Sequence, residues 1–354
     1  MKRFICVLLF ISLLCGCGTV ADGKSSQNAE ERIIGVWISY YELNAMLSSG
    51  NFKDEFTAAV VKLIDMGAGD AFVHVRAFGE SLFESKIYSM SEAARQYDFD
   101  IIDFMIKTLK EHNIRFHAWI NPFRKQDGTF ENPADTAVHA AVIGGIKEIL
   151  ERYPVNGIHF DDYFYPQNSE GIDSDTYNAY IENCKNPLSL QEYRRTAVSS
   201  FIFAVRDAIK SKNQNIVFSI SPAADIEKNK NLAFADVEYW CSTGAIDYIM
   251  PQLYFGYEYP DGNYRFKNLL KRWESLDYAP DVRLIIGLAA YKTGIETPPD
   301  NAEWQNENVL PSETRDCFLS KKVSGICFFS YSYLFAPDEL HTKALISIKE
   351  ILRQ

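Results

Sequence analysis

Residues 157–166 read GIHFDDYFYP. Ile158 and Phe160 are apolar and alternate with His159 and Asp161, the period-two pattern of a strand with two different faces. A second carboxylate, Asp162, follows at once. Tyr163, Phe164, Tyr165 and Pro166 then end the run. Strands of a parallel sheet buried on both sides usually read as continuous apolar runs. Here one face is apolar and the other ionisable, which fits a strand that packs on helices behind and opens on a polar site in front.

Working outward, the same kind of run recurs along the 354 residues. Strands are expected at Ile33–Ser39, Asp70–Ala77, Ile114–Asn121, Val155–Asp161, Ile216–Ser221, Ile246–Tyr254, Arg283–Ala290 and Val323–Tyr331. Amphipathic segments separate them, among them Asn51–Met66, Phe99–His112, one ending near Tyr153, and Ser189–Lys212; Pro337–Leu352 closes the chain. Eight alternating strand–helix units predict an α/β fold, a closed (β/α)8 TIM barrel spanning residues 32–354. An open doubly wound sheet would bring a glycine-rich phosphate loop after the first strand, and SYYELNAML is not one.

The N-terminus carries a different signal. Lys2 and Arg3 precede an apolar run, Phe4–Leu14, that is too short to span a bilayer. It ends in Leu14, Cys15, Gly16 and Cys17, which resembles a bacterial lipobox. Residues 1–16 are expected to be a lipoprotein signal peptide, Cys17 the lipidated residue, and 17–31 a flexible tether. The barrel is then exported and held at a cell-envelope membrane by lipid. The net charge is −11 with no basic run, which argues against nucleic acid as a partner. Of the cysteines beyond the leader, Cys184, Cys241, Cys317 and Cys327, none forms a CxxC; Cys327 lies in a strand and is expected to be a buried thiol.

Strand alternation assigns the inward side chains. They are Trp37 and Ser39; Phe72, His74 and Arg76; His117, Trp119 and Asn121; His159 and Asp161; Ser219 and Ser221; Met250, Gln252 and Tyr254. Singly, each histidine reads as a hydrogen-bonded core residue. Together, so many polar groups are expensive to bury unless they bind something or satisfy one another. They cluster toward the C-terminal strand ends, where barrel enzymes place their chemistry.

Cleavage of a glycosidic bond ordinarily uses two carboxyl groups. Asp161 sits at the inward end of the fourth strand and Asp162 at its lip, with the choice between them open. Arg76 is a candidate counter-ion. For the partner carboxylate, Glu80 ranks first and Asp225 second. Tyr40, Tyr163, Tyr165, Tyr254 and Tyr257, with Trp37 and Trp119, are candidate sugar platforms. Arg76, His117, Asn121, His159 and Gln252 are candidate ligands for hydroxyl or acetamido groups.

The blocks GVWISYYEL, HVRAFGESLFESKIYSMS, YDFDIIDFMIKTLKEHNIRFHAWINPFR, VNGIHFDDYFYP, FSISP, IDYIMPQLYFGYE and SGICFFSYSYLF, in that order, resemble the glycoside-hydrolase-like family ten proteins across residues 31–354. The resemblance implies an exported or lipid-anchored (β/α)8 glycosidase acting on peptidoglycan strands or related N-acetylated glycans, with no cofactor. Many members of the family that this chain resembles carry Asp where it has Glu80, which keeps a carboxylate and changes its reach. Two rival readings are a glycan-binding lipoprotein without turnover, and a metal-dependent hydrolase or deacetylase. The second lacks the HxH pair on the first strand and the Asp on the eighth that amidohydrolase-like barrels use.

Overall fold

The structure, a computed structural model, describes residues 32–295 and 301–354. The expected leader, tether and lipidated Cys17 lie outside the described residues. The strands are β1 (Ile33–Ile38), β2 (Asp70–Arg76), β3 (Arg115–Ile120), β4 (Gly157–Phe160), β5 (Val217–Ile220), β6 (Tyr248–Ile249), β7 (Arg283–Leu288) and β8 (Val323–Phe328). All eight pair in parallel and in chain order, and β8 pairs with β1 to close the barrel.

The two faces separate as the alternation predicts. Ala71, Val73 and Val75 of β2, Phe116 and Ala118 of β3, and Ile158 and Phe160 of β4 join the large core between strands and helices. Trp37, Phe72, Trp119, Met250 and Cys327 pack in a second, smaller cluster inside the barrel. The four described cysteines are free thiols.

The helices have local reasons to start and stop. Asp100 caps Ile101–Lys110 by accepting the Asp103 N–H at 3.0 Å, and Ile101, Ile102, Met105, Ile106 and Leu109 form its buried stripe. Ser189 and Glu192 form a capping box at the head of Leu190–Lys212. Gly67, at φ +84°, ends Phe52–Met66 in a conformation a side chain resists. No described helix is long and apolar enough to cross a membrane.

Two differences from the sequence expectation matter. The sixth strand shrinks from Ile246–Tyr254 to two residues, because Pro251 has no N–H for the ladder; beyond it, Gln252 makes only isolated bridges to Ala223 and Gly287. The loop after β2 also holds an unforeseen two-stranded parallel sheet, Glu80–Ser81 with Ser89–Met90.

The barrel floor is ionic. Asp70 is fully buried, 2.6 Å from Arg115 and 2.7 Å from His117. Burial opposes its charge, but the bonds from His117 and Arg115 win and hold its carboxyl below the ordinary value. Gly157 stands level with His117, and a Cβ there would lie 2.2 Å from His117 Nδ1. The glycine that opens the quoted stretch makes room for that imidazole.

Candidate active site

A cleft of about 330 Å³ opens at the C-terminal ends of the strands. That end is where barrel loops assemble active sites. Its floor and walls bring together nine of the residues singled out from sequence: Trp37, Tyr40, Trp119, Asn121, Asp161, Asp162, Tyr163, Gln252 and Tyr254.

Asp161 follows β4 directly and is 3% exposed. Its Oδ2 accepts the Trp119 indole N–H at 3.3 Å, and its Oδ1 the Tyr163 backbone N–H at 3.4 Å. Burial, and then the charge of Asp162, push its carboxyl well above the usual carboxylate range, against the pull of those two bonds and of Arg124. Asp162 is half-buried at the rim, where Gln252 donates a hydrogen bond to it. Its carboxyl is also raised by burial, with Gln252 and Arg124 opposing. The Asp162 charge adds to burial in favouring the protonated form of the deeper carboxyl, Asp161.

Below them lies a neutral layer. The Trp37 indole donates to His159 Nε2 at 2.9 Å, so the ring proton sits on Nδ1, which meets Ser219 Oγ at 2.8 Å. Burial drives His159 well below its ordinary pKa, with His117 and His74 adding to it. His74 stacks flat on Trp119, with ring centres 3.8 Å apart and 7° between planes. Burial, then the charges of Arg124 and Arg76, keep His74 neutral as well. The opposite wall is aromatic: Tyr254 stacks on Phe329 at 5.7 Å, and Tyr291 meets both rings edge-on.

The remaining sequence candidates do not line the cleft. Glu80 belongs to the small sheet in the loop after β2, whose pairing with Ser89 fixes it there. Asp225 is the N-cap of Ile226–Asn231, taking the Lys228 N–H and the Tyr264 hydroxyl. Arg76 is not the counter-ion of Asp161. Its Nη1 donates to the Asn121 carbonyl at 2.6 Å and its guanidinium lies 4.1 Å from the centre of the Tyr88 ring. His117 belongs to the floor with Asp70, and His159 lies one layer beneath the cleft. Tyr165 is buried and donates to Asp173 at 3.0 Å, beside Arg194. Tyr257 donates to Asp316 at 2.8 Å. Strand parity finds the inward face but not the depth along it, so residues at floor, middle and rim look alike in sequence.

The cleft also takes in Ser39, His74 and Ser221, whose inward parity was legible, and Tyr41, Arg124, Tyr291 and Phe329, which were not singled out. Arg124 stands three residues past Asn121 in HAWINPFR, and Phe329 continues the inward parity of Cys327; both signals were present. Among the described residues, no three His, Cys, Asp or Glu side chains converge as metal ligands would.

A closed parallel barrel with an aromatic cleft and paired carboxylates at its mouth defines a glycoside-hydrolase-type (β/α)8 protein. Glycosidases are among the solved structures with the same barrel fold. They include the glycoside hydrolase domain of PgaB (BpsB) from Bordetella bronchiseptica, at TM-score 0.61 and 12% identity over 88% of this chain and 97% of that one. A GH18 chitinase from Cycas revoluta, solved with (GlcNAc)4, matches at TM-score 0.57 and 9% identity over 90% and 99%. At such identities the likeness shows the fold alone. The family is shown by sequence: the model of the glycosyl hydrolase-like 10 family matches residues 124–306, just over half of the chain, and the chain belongs to that family. Among curated relatives, glycosyl hydrolase DigH of Escherichia coli K12 is 24% identical over 92% of both chains. Glycosyl hydrolase YngK of Bacillus subtilis is 25% identical over 81% of this chain and 66% of its own.

Proposed function

We propose that this protein is a glycosidase of N-acetylated cell-envelope glycans, peptidoglycan strands foremost, with Asp161 as the acid. One observation carries the reading: Asp161 and Asp162 sit side by side in the cleft, Asp161 buried and Asp162 at the rim, and that burial pushes the Asp161 carboxyl toward its protonated form. A buried protonated carboxyl beside a charged one is the pairing that general acid catalysis of glycoside cleavage needs.

The same geometry supports a particular route. Both aspartates issue from the end of β4, and the facing wall of Tyr254, Tyr291 and Phe329 offers no carboxylate. A carboxylate nucleophile across the bond is therefore not supplied by the described lining. A 2-acetamido sugar supplies its own: the carbonyl oxygen attacks C1, the C1–O bond breaks, and the Asp161 proton passes to the departing oxygen. Asp162, still charged, holds the acetamido N–H and balances the cationic ring that forms. Water then opens that ring at C1 and returns a proton to Asp161, with the anomeric configuration retained. Tyr40 and Tyr254 offer the apolar faces on which sugar rings pack, whereas Trp37, 1% exposed, is held inside the barrel beneath them.

The test uses two substrates, peptide-free glycan strands and an aryl N-acetylglucosaminide whose phenol leaves without help. Asp161→Asn should lose about 10²–10⁴ of its rate on strands and far less on the aryl glycoside; Asp162→Asn should lose both. Full cleavage of strands by both variants defeats the reading, and glycan binding without any turnover by the wild type converts it to a lectin. Membrane attachment through Cys17 belongs to the same proposal. Cys17→Ser should move the protein from the membrane to the soluble envelope fraction, and continued membrane retention would refute the anchor.

A further inference from the structure

Among the described residues that line the cleft, Arg124 is the one cation, since burial keeps His74 neutral. It stands on the loop after β3, held by a backbone bridge to Phe130 and by the Lys125 N–H bond to the Thr129 carbonyl at 2.9 Å. Its guanidinium lies 4.5 Å from the centre of the Tyr163 ring and 5.5 Å from that of Phe78. Among the described residues no carboxylate forms an ion pair with it and no acceptor takes its hydrogen bonds; its partners are the two rings.

That arrangement is informative in a protein of net charge −11. The acidic groups nearest in function, Asp161 and Asp162, feel the charge without pairing with it. A residue kept only to neutralise the aspartates would be expected within ion-pair distance of them. Instead the guanidinium is steadied against two rings while its N–H edges stay unclaimed. A planar fork of five donors, pre-positioned and unpaired, matches a carboxylate that it can grip through two parallel bonds.

We propose that Arg124, steadied by Tyr163 and Phe78, forms a subsite for a carboxylate borne by the sugar bound next to the scissile linkage, so that the enzyme prefers acidic N-acetylated glycans to neutral ones. The inference rests on the glycosidase reading above and narrows its substrate.

The experiment measures kcat/KM of the wild type on peptide-free peptidoglycan strands, on the same strands with their carboxyls methyl-esterified, and on neutral N-acetylglucosamine oligomers. The wild type should favour the native strands over the esterified ones by on the order of 10- to 100-fold. Arg124→Gln should bring that ratio close to one, and Arg124→Lys, which keeps the charge but loses the fork, should fall between. Circular dichroism and melting of both variants check that they fold. Equal wild-type rates on native and esterified strands overturn the proposal, as does a ratio that Arg124→Gln leaves intact. Both variants slowing all substrates by one factor, with a displaced pH profile, also overturns it, because Arg124 would then only tune the aspartates. Cleavage of neutral oligomers alone leaves the glycosidase reading standing and removes the subsite; cleavage of nothing removes the glycosidase reading itself. An N-acetylglucosamine–glucuronate polymer is run alongside. Where the native strands show the Arg124-dependent preference, the polymer cleaved faster shows where on the sugar the carboxylate sits.

Discussion

Asp161→Asn should make the protein more stable at neutral pH while removing its chemistry. Folding places the Asp161 carboxyl where burial and the neighbouring Asp162 charge favour the protonated form. In the unfolded chain the same group ionises near its ordinary value of about 4. Between that value and the raised folded value, the folded state binds more protons than the unfolded one, so this group's contribution to stability falls as pH rises. At pH 7 the loss is bounded at about 4 kcal/mol, the free energy of protonating an ordinary aspartate there. Asparagine escapes it. Asparagine also presents only one acceptor where Asp161 takes two long bonds, 3.3 Å from Trp119 and 3.4 Å from Tyr163, which returns about 1 kcal/mol. The net gain is up to about 3 kcal/mol, and at about 2 °C per kcal/mol for a chain of this size the melting temperature rises by up to ~6 °C. The assay is thermal unfolding of both proteins between pH 4 and 8. The gap should be largest at neutral pH and close toward pH 4, where the unfolded aspartate is protonated too. A gap that does not change with pH, or a wild type that is the more stable at pH 7, would refute the argument that Asp161 is buried with its proton.

Trp119→Phe keeps a ring for His74 to stack on and deletes the indole N–H that favours ionised Asp161. The basic limb of kcat/KM should move to higher pH by about half a unit, reflecting a long hydrogen bond worth under ~1 kcal/mol; a limb that moves down would contradict it. Gly157→Ala forces a Cβ to within 2.2 Å of His117 Nδ1, on a ring that Asp70 holds at 2.7 Å. Chemical denaturation should show a loss of about 3 kcal/mol or no soluble protein, and an alanine variant as stable as the wild type would mean that the His117 ring can swing aside.

The architecture was readable because both faces of each strand have work to do. Val73 and Phe160 must meet helices, His74 and Asp161 must not, and that difference prints a period of two on the sequence. The site was readable only in one dimension. Parity placed Arg76, His117 and His159 in the interior beside Trp119 and Asp161, yet the register puts His117 level with Phe72 and Gly157, a layer below the pair formed by Trp119 and His159. Depth depends on barrel stagger, a property of all eight strands together. Glu80 and Asp225 were ranked by proximity to strand ends, but one is drawn into a small sheet and the other spent on capping a helix. Parity stops where the strands end: Arg124 is marked only by its closeness to Asn121, Tyr291 by nothing, and the folded loops bring both to the cleft.

The polar interior that looked costly in sequence has a consequence for the acid above it. His159 is satisfied as a neutral ring by Trp37 and Ser219, and His74 is kept neutral by burial and by nearby guanidinium groups. Had either histidine been charged, its positive field one layer under Asp161 would have favoured the carboxylate and pulled the proton off. A neutral layer leaves Asp162 as the leading charge acting on Asp161, opposed by Arg124. Burial favours the proton on Asp161 first, and the charges that adjust it lie at the cleft, Asp162 adding to burial and Arg124 opposing it. A ligand that brings an anion to Arg124 would weaken the one cation opposing the proton and hold it more firmly on Asp161, so substrate binding and arming of the acid are coupled through the same guanidinium.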